Sequence, residues 1–374
     1  MAAPCLSTFG AKGQSRAAQV AQNGMSSFIL GLAAVSWFLW VVMTKQTAFD
    51  PDRPAAVAAP RIGAVVIGRN EGPRLVACLA SIPAQVSPVV YVDSGSTDDS
   101  VSAARAAGAT VVLLDLSRPF TAARARNAGL EALNRESEVD LVQFIDGDCT
   151  LDPGWIDAAS AAFLAHPQAA VICGRRRERA PEVSVWNRLC DAEWDTPVGK
   201  ARACGGDALM RREAVTAIGG FDAVLIAGEE PELCLRLRAM GWEVWRIPNE
   251  MTLHDAAMTR VRQWWKRCRR AGHAFAEGAA MHGSTPERHW VAETRRALIW
   301  GVGLPIVAVV GMLATPWAAL ILLAYPLQTL RLMRRHGIEQ GFFMLLGKLP
   351  EALGVLEYHL NRLRHRRAGL IEYK

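Results

Sequence analysis

Asp146-Gly147-Asp148 follows directly on a largely apolar run, Leu141–Ile145. Two carboxylates on a sharp glycine turn are placed to share a cation. A Mg²⁺ or Mn²⁺ held by one or two carboxylates plus substrate phosphates fits this pattern, and would neutralise charge on a departing diphosphate. A calcium loop starting at Asp146 fails, because its sixth position is Leu151 where glycine is needed. A pair of helix-capping acids is the plainer alternative. A second cluster, Asp93 to Asp98, also follows an apolar run. Asp93 can accept a hydrogen bond from a base N–H, and hydroxyls such as Ser96 can reach ribose or backbone amides. An ordinary turn has the same composition. Glu229, Glu230 and Glu232 stand before a leucine-rich helix. Such acids either partner the helix dipole or supply a general base. His254 follows a predicted strand at Trp242–Ile247 and is either a surface histidine or, with a neutral imidazole, a third metal ligand.

These residues need a scaffold, and residues 60–255 supply one by alternating strand-like and helix-like segments. Strands are predicted at Arg61–Gly68, Pro88–Asp93, Thr110–Asp115, Leu141–Ile145 and Ala169–Cys173. Helices are predicted at Pro73–Ile82, Asp98–Ala107 (capped by Ser96 or Thr97), Thr121–Leu133 and Trp155–Ala165. The pattern gives an α/β domain with a mostly parallel sheet, whose ligands bind beyond the carboxyl ends of the strands. No GxGxxG follows the first strand and no GxxxxGK[ST] occurs, which excludes a dinucleotide fingerprint and a P-loop. The run Arg175–Arg179 reads as a solvated loop, with acceptor pyrophosphate binding as the alternative.

Taken in order, VVIGRNE (65–71), VDSGSTD (92–98), ARNAG (125–129), FIDGD (144–148), GGFD (219–222), GEEPEL (228–233) and His254 resemble the family 2 glycosyltransferases of GT-A fold. The resemblance covers about residues 60–275. It implies an inverting, metal-dependent transfer of a sugar from a nucleoside diphosphate sugar to an acceptor hydroxyl. It implies further that Asn70, Glu71 and Asp93 line the nucleobase and ribose pocket and that Arg126 touches the nucleotide phosphates. Asp146 would lie near ribose and metal, Asp148 would be the metal ligand proper, and His254 would complete the site. The base falls in the Glu229-Glu230 pair, where family members commonly carry Glu-Asp. Gln263-Trp264-Trp265-Lys266-Arg267 does not fit the Gln-x-x-Arg-Trp signature of processive members, which favours single transfer. Two rival classes are a catalytically silent nucleotide-sugar-binding module and a nucleotidyltransferase. The latter expects a basic glycine-rich loop where Arg69-Asn70-Glu71-Gly72 stands.

The rest of the chain is greasy and basic. Of 374 residues, 51% are hydrophobic and 21% charged, with net charge +6; the mean hydropathy is +0.12. That excludes a disordered chain. Charge is absent from Ala17–Thr44 and from Ala297–Leu330. The first holds Phe28–Met43, expected as an uncleaved transmembrane anchor at 25–45 behind a flexible segment 1–24; a signal peptide or a start at Met25 are the alternatives. The second is 34 residues long and broken by Pro305, Pro316 and Pro326. It is too long for one span, and basic residues flank both ends, so a membrane hairpin at 297–330 is expected. A pair of buried core helices is the alternative. Residues 256–296 read as an amphipathic helical connector. On it Trp264, Cys268, Ala271 and Phe275 share one face, for packing on the sheet or for lying at headgroup depth. Residues 331–374 read as a basic amphipathic tail, with Phe342–Leu360 as one helix on the bilayer. The expected setting is the inner membrane with the catalytic domain on the cytoplasmic side. A likeness to membrane-associated bacterial members that build surface polysaccharides implies a lipid-linked acceptor. The eight cysteines show no CxxC spacing and read as reduced thiols. Nucleic acid is not expected as a partner, because the basic residues cluster beside apolar spans.

Overall fold

The computed structural model describes residues 59–365. The flexible segment 1–24, the anchor at 25–45 and the last residues of the tail lie outside the described residues.

Strands β1 (Ile62–Gly68), β2 (Val86–Asp93), β3 (Thr110–Leu113), β4 (Leu141–Asp146), β5 (Cys149–Leu151), β6 (Ala169–Glu178), β7 (Gly199–Lys200), β8 (Ala208–Arg211) and β9 (Glu243–His254) form one sheet. Among the described residues its order is β3-β2-β1-β4-β8-β6-β9-β5, with β7 beside β9. β1 to β4 are mutually parallel. Their near-continuous Val/Ile runs are those of strands covered on both faces: Ala64, Val65, Val66, Val90, Val92, Phe144 and Ile145 are all buried. The covering helices are α1 (Pro73–Ser81), α2 (Ser100–Ala106), α3 (Ala122–Glu136), α4 (Trp155–Ala165), α5 (Val185–Glu193), α6 (Arg212–Ala217) and α7 (Glu229–Ala239).

The sheet changes direction at β8, which pairs antiparallel with both β4 and β6. Two reversals make β6 parallel to β4 again, and β9 parallels β6. The C-terminal ends of β1, β2, β4, β6 and β9 therefore share one edge with the N-terminal end of β8. That edge is where a ligand crevice belongs.

Two expectations on this scaffold are corrected. The basic run at 175–179 is not a solvated loop. Residues 175–178 continue β6, Arg175 and Glu178 are buried, and Arg175 pairs with Asp191 at 3.0 Å. Charge was misread as solvation because the partner carboxylates are remote in sequence. The second helix is capped by Asp99, not by Ser96 or Thr97. Those two residues bond back to Asn70 instead, with Asn70 N–H donating to Ser96 Oγ and Thr97 N–H donating to Asn70 Oδ1.

Beyond the sheet come α8 (Val261–His282), α9 (Val291–Leu298), α10 (Leu304–Ala314), α11 (Ala324–His336), α12 (Ile338–Leu346) and α13 (Lys348–Leu363). α8 and α13 cross at backbone contact. A Cβ on Gly272 would collide with the Glu351 carbonyl, and one on Gly354 with the Arg269 carbonyl. Small residues make such approach possible, and the bare α13 positions Ala352, Gly354 and Val355 are buried there. Trp264 is buried at the same end, stacked 5.2 Å from Trp186 and edge-on to Phe343. It therefore packs inside the protein, against α5 and α12. The single tail helix expected over Phe342–Leu360 is instead two helices, divided at Gly347.

α9 and α10, joined by a π-helical turn, make one continuous helix Val291–Ala314, long and apolar enough to cross a membrane. Pro305 does not break it, because it follows directly on the π-helical turn Ile299–Gly303, where the regular hydrogen-bond ladder is already interrupted. The chain turns at Thr315, and residues 316–323 run back as a 3₁₀ segment. Tyr325 Oη then donates to the Trp300 carbonyl at 2.5 Å. The apolar face remains bare: Val310 is 59% and Leu313 86% exposed.

Candidate active site

The end of β2 builds the first wall. Asp93 is buried, and its Oδ2 accepts from the backbone N–H groups of Gly95 (2.9 Å) and Ser96 (2.8 Å), while Tyr91 Oη donates to Oδ1. Those bonds fix a tight turn, and Asn70 closes on it from β1 through Ser96 and Thr97. Asn70 adopts a left-handed backbone (φ 56°) to do so, a conformation that asparagine tolerates. Glu71 lies alongside, paired with Arg74 at 2.7 Å. The four donor-side residues, Asn70, Glu71, Asp93 and Ser96, thus cluster at one strand edge.

Strand register builds the second wall. β5 pairs with β9 so that Cys149 faces His254, and β6 pairs with β9 so that Glu178 faces His254. This register brings the neighbouring Asp148 against the imidazole. His254 Nε2 stands 3.4 Å from Asp148 Oδ2, and Nδ1 stands 3.4 Å from Glu178 Oε2. Burial, reinforced by the nearby Arg176 cation, lowers the His254 pKa, so the ring is neutral at pH 7. A carboxylate behind one ring nitrogen orients the other toward a metal. Asp148, His254 and Cys149 present ligand atoms within 4.8 Å of one another. Burial pushes the Cys149 thiol well up, so it stays protonated and is a poor ligand. The remaining oxygen and nitrogen donors fit Mg²⁺ or Mn²⁺.

The third wall is a cluster of opposed charges around Arg126, on α3. Its Nη2 lies 2.9 Å from Asp146 Oδ1, and its Nη1 lies 2.9 Å from both Glu229 Oε1 and Glu230 Oε1. Here Arg126 is engaged by three carboxylates. Burial, then the adjoining Glu229 charge, push Glu230 up to about 7 against the pull of Arg126. A carboxylate poised there takes a proton efficiently at neutral pH. Both glutamates open α7 behind Gly228, which is left-handed (φ 80°). A Cβ on Gly228 would strike the Trp290 ring. Asn127, beside Arg126, holds the preceding loop: its Nδ2 donates to the Phe221 carbonyl and its Oδ1 accepts from Phe221 N–H.

Three neighbours escaped sequence reasoning. Asp207 is fully buried; it accepts from Asp146 N–H at 3.0 Å and from Thr252 Oγ1 at 2.8 Å. Its signal was an acid beside a strand, but at the start of β8. An antiparallel strand brings its start to the edge where parallel strands end. Arg176 reaches Asp146 at 3.3 Å and Asp207 at 3.5 Å, and lies over the Trp194 ring. Glu178, hidden in the same basic run, orients His254.

Residues 64–218 match the family described as Glycosyl transferase family 2. The pre-mycofactocin glycosyltransferase of Mycobacterium tuberculosis, from two strains, is 26% identical over 261 residues, 64% of this chain and 52% of that protein. The chain thus spans about half the length of the curated relatives it matches. A solved structure, the mannosyltransferase PcManGT from Pyrobaculum calidifontis in complex with GDP-Man and Mn²⁺, aligns with a TM-score of 0.55 at 20% identity. It covers 87% of this chain and 97% of that one, and shares the GT-A-like fold. With the strand-end acids, the mixed sheet and the matched segment in agreement, the chain carries a glycosyl transferase family 2 domain of GT-A-like fold.

Proposed function

We propose that the protein is an inverting glycosyltransferase that moves a sugar from a nucleoside diphosphate sugar to an acceptor hydroxyl. The observation that carries this reading is the convergence of Asp93, Asp146, Asp148 and Glu230 on one sheet edge, with Arg126 joining Asp146 to the glutamates. Asn70, Asp93 and Ser96 would receive the nucleoside. Glu230 accepts the proton of the acceptor hydroxyl as its oxygen attacks the anomeric carbon. The bond from that carbon to the diphosphate oxygen breaks on the opposite face, so the configuration inverts. Glu229 holds the Arg126 guanidinium and raises the basicity of Glu230. Asp148 and His254, with Asp146 nearby, would hold a Mg²⁺ or Mn²⁺, which supplies charge neutralisation to the leaving diphosphate.

The bare Val291–Ala314 helix, with Arg331, Arg334 and Arg335 beyond its return, supports attachment to the inner membrane from the cytoplasmic side. The proposal includes a lipid-linked acceptor, which suits such attachment, and a role in surface polysaccharide synthesis, which rests on the likeness to membrane-associated bacterial members.

The test is donor hydrolysis by detergent-purified protein over a panel of nucleoside diphosphate sugars, with Mn²⁺, Mg²⁺ or EDTA. Metal-dependent release of a nucleoside diphosphate from one donor is expected. Nucleotide binding with no turnover for any donor, even when lipid extract is added as acceptor, would leave a silent binding module. Pyrophosphate release from a nucleoside triphosphate would make the protein a nucleotidyltransferase.

A further inference from the structure

A cavity of about 400 Å³ opens between α7 and the start of the long apolar helix. We propose that it holds a phosphate of an amphiphilic acceptor whose apolar part lies along the exposed face of α10. The proposal rests on the glycosyltransferase reading above.

Two walls of the cavity are continuations of the active-site segments. Pro231 follows Glu230, and Ala203 stands just ahead of Gly206. A Cβ on Gly206 would lie 2.7 Å from both Arg126 Nη2 and Asp146 Oδ2, so this segment runs against the charged cluster. A group seated in the cavity is therefore next to the proposed base rather than on a remote surface.

The lining chemistry selects an anion. Arg202, Arg238, Arg288 and Arg295 contribute four cations, against Glu287 and Glu293. Both glutamates are in ion pairs: Glu287 grips Arg238 at 2.6 Å, and Glu293 reaches out to Arg296 at 2.6 Å. The excess is positive, and guanidinium forks match phosphate oxygens. His289 adds a buried Nε2 that has no hydrogen-bond partner among the described residues. The first turn of the Val291–Ala314 helix also lines the cavity, and a helix start favours negative charge.

The same helix then selects an amphiphile. Arg288 and Arg295 stand at its polar end, and Ile306, Val310 and Leu313 lie bare further along it. A phosphate in the cavity with an apolar chain along that face satisfies both halves at once. A free anion would leave the apolar face unused.

Farnesyl phosphate in neutral-detergent micelles is the probe, titrated by calorimetry into the full chain, with farnesol and inorganic phosphate as controls. The wild type should bind farnesyl phosphate at least ten times more tightly than either control. Arg288→Gln/Arg295→Gln should weaken it at least tenfold. Ala292→Trp, which fills the cavity and keeps every charge, should do the same. If the double variant loses the wild-type melting temperature, Ala292→Trp alone decides. Unchanged affinity in a folded variant overturns the proposal, as does farnesol binding as tightly as its phosphate. Inorganic phosphate matching farnesyl phosphate would assign the cavity to a free anion and overturn the amphiphile. Donor hydrolysis by the wild type is scored separately. Its absence with farnesyl phosphate binding intact removes the glycosyltransferase reading alone, and the reverse pattern removes the cavity alone.

Discussion

At the sheet edge, Glu178 and His254 come from two paired strands and Asp148 from the turn just before a third, and they meet because hydrogen-bonded register allows no other alignment. In the helical half, α8 and α13 meet through bare glycine backbone at Gly272 and Gly354. A one-residue slip in a strand turns every side chain to the opposite face, so the sheet edge fixes chemistry in place. Helices packed by small residues fix only how near two backbones lie. The difference teaches where each kind of change should be felt. Substitutions at the sheet edge should act on turnover with the fold intact, and substitutions in the helical half should act on stability.

Asp148→Ala puts the sharpest demand on that division. Turnover should fall to background at every Mn²⁺ concentration while the melting temperature of the ligand-free protein stays within a few degrees. Retained metal-dependent activity would break the assignment. Glu230→Gln is next, with kcat expected to fall by about 10²–10⁴-fold, the usual worth of a general base, while nucleotide affinity persists. In the wild type, kcat/KM should rise tenfold per pH unit up to about 7 and then level, because the base must be ionised and its folded pKa is raised to about 7. A profile flat from pH 5 to 8 would exclude Glu230 as the base.

Glu178→Gln tests the orienting carboxylate. Metal affinity should weaken by about 10–100-fold, with kcat recovering at saturating Mn²⁺. Loss of kcat that metal cannot restore would mean that Glu178 does more than hold the ring. The smallest effect belongs to the helical half. Burial pushes Glu277 on α8 up to about 7. The folded state therefore holds its proton more tightly than the unfolded chain, and stability falls as pH rises from about 4.5 to 7. Glu277→Gln should raise stability at pH 8 by about 1 kcal/mol after allowance for screening, read as a higher melting temperature, and leave the melting temperature nearly unchanged at pH 4. Equal shifts at both pH values would contradict this.

How legible the site was in the sequence follows from geometry. Apolar runs ending in acids mark parallel strands, so Asp93, Asp146 and Asp148 could be placed before any coordinates, and α4 was predicted to the residue. His254 was found beside a strand whose last seven residues, from Pro248 on, were not foreseen. Asp207 escaped because its strand runs the other way. Glu178 and Arg176 escaped because a run of four arginines looks solvated unless its partners, Asp146, Asp191, Asp207 and Glu250, are known to be near. Pairing across the sheet is long-range information, and local periodicity does not carry it. The helical half was legible in its apolarity and illegible in its packing, since Gly272 and Gly354 carry no hydrophobic signal.

Trp290 bears on how such a chain can change over generations. Its ring fills space that a side chain at either Gly228 or Gly278 would need. The three positions are therefore tied in descent. While the indole is retained, both glycines are barred from drifting. A lineage that first shortened residue 290 would free position 278 for alanine, but position 228 would stay glycine on account of its left-handed backbone.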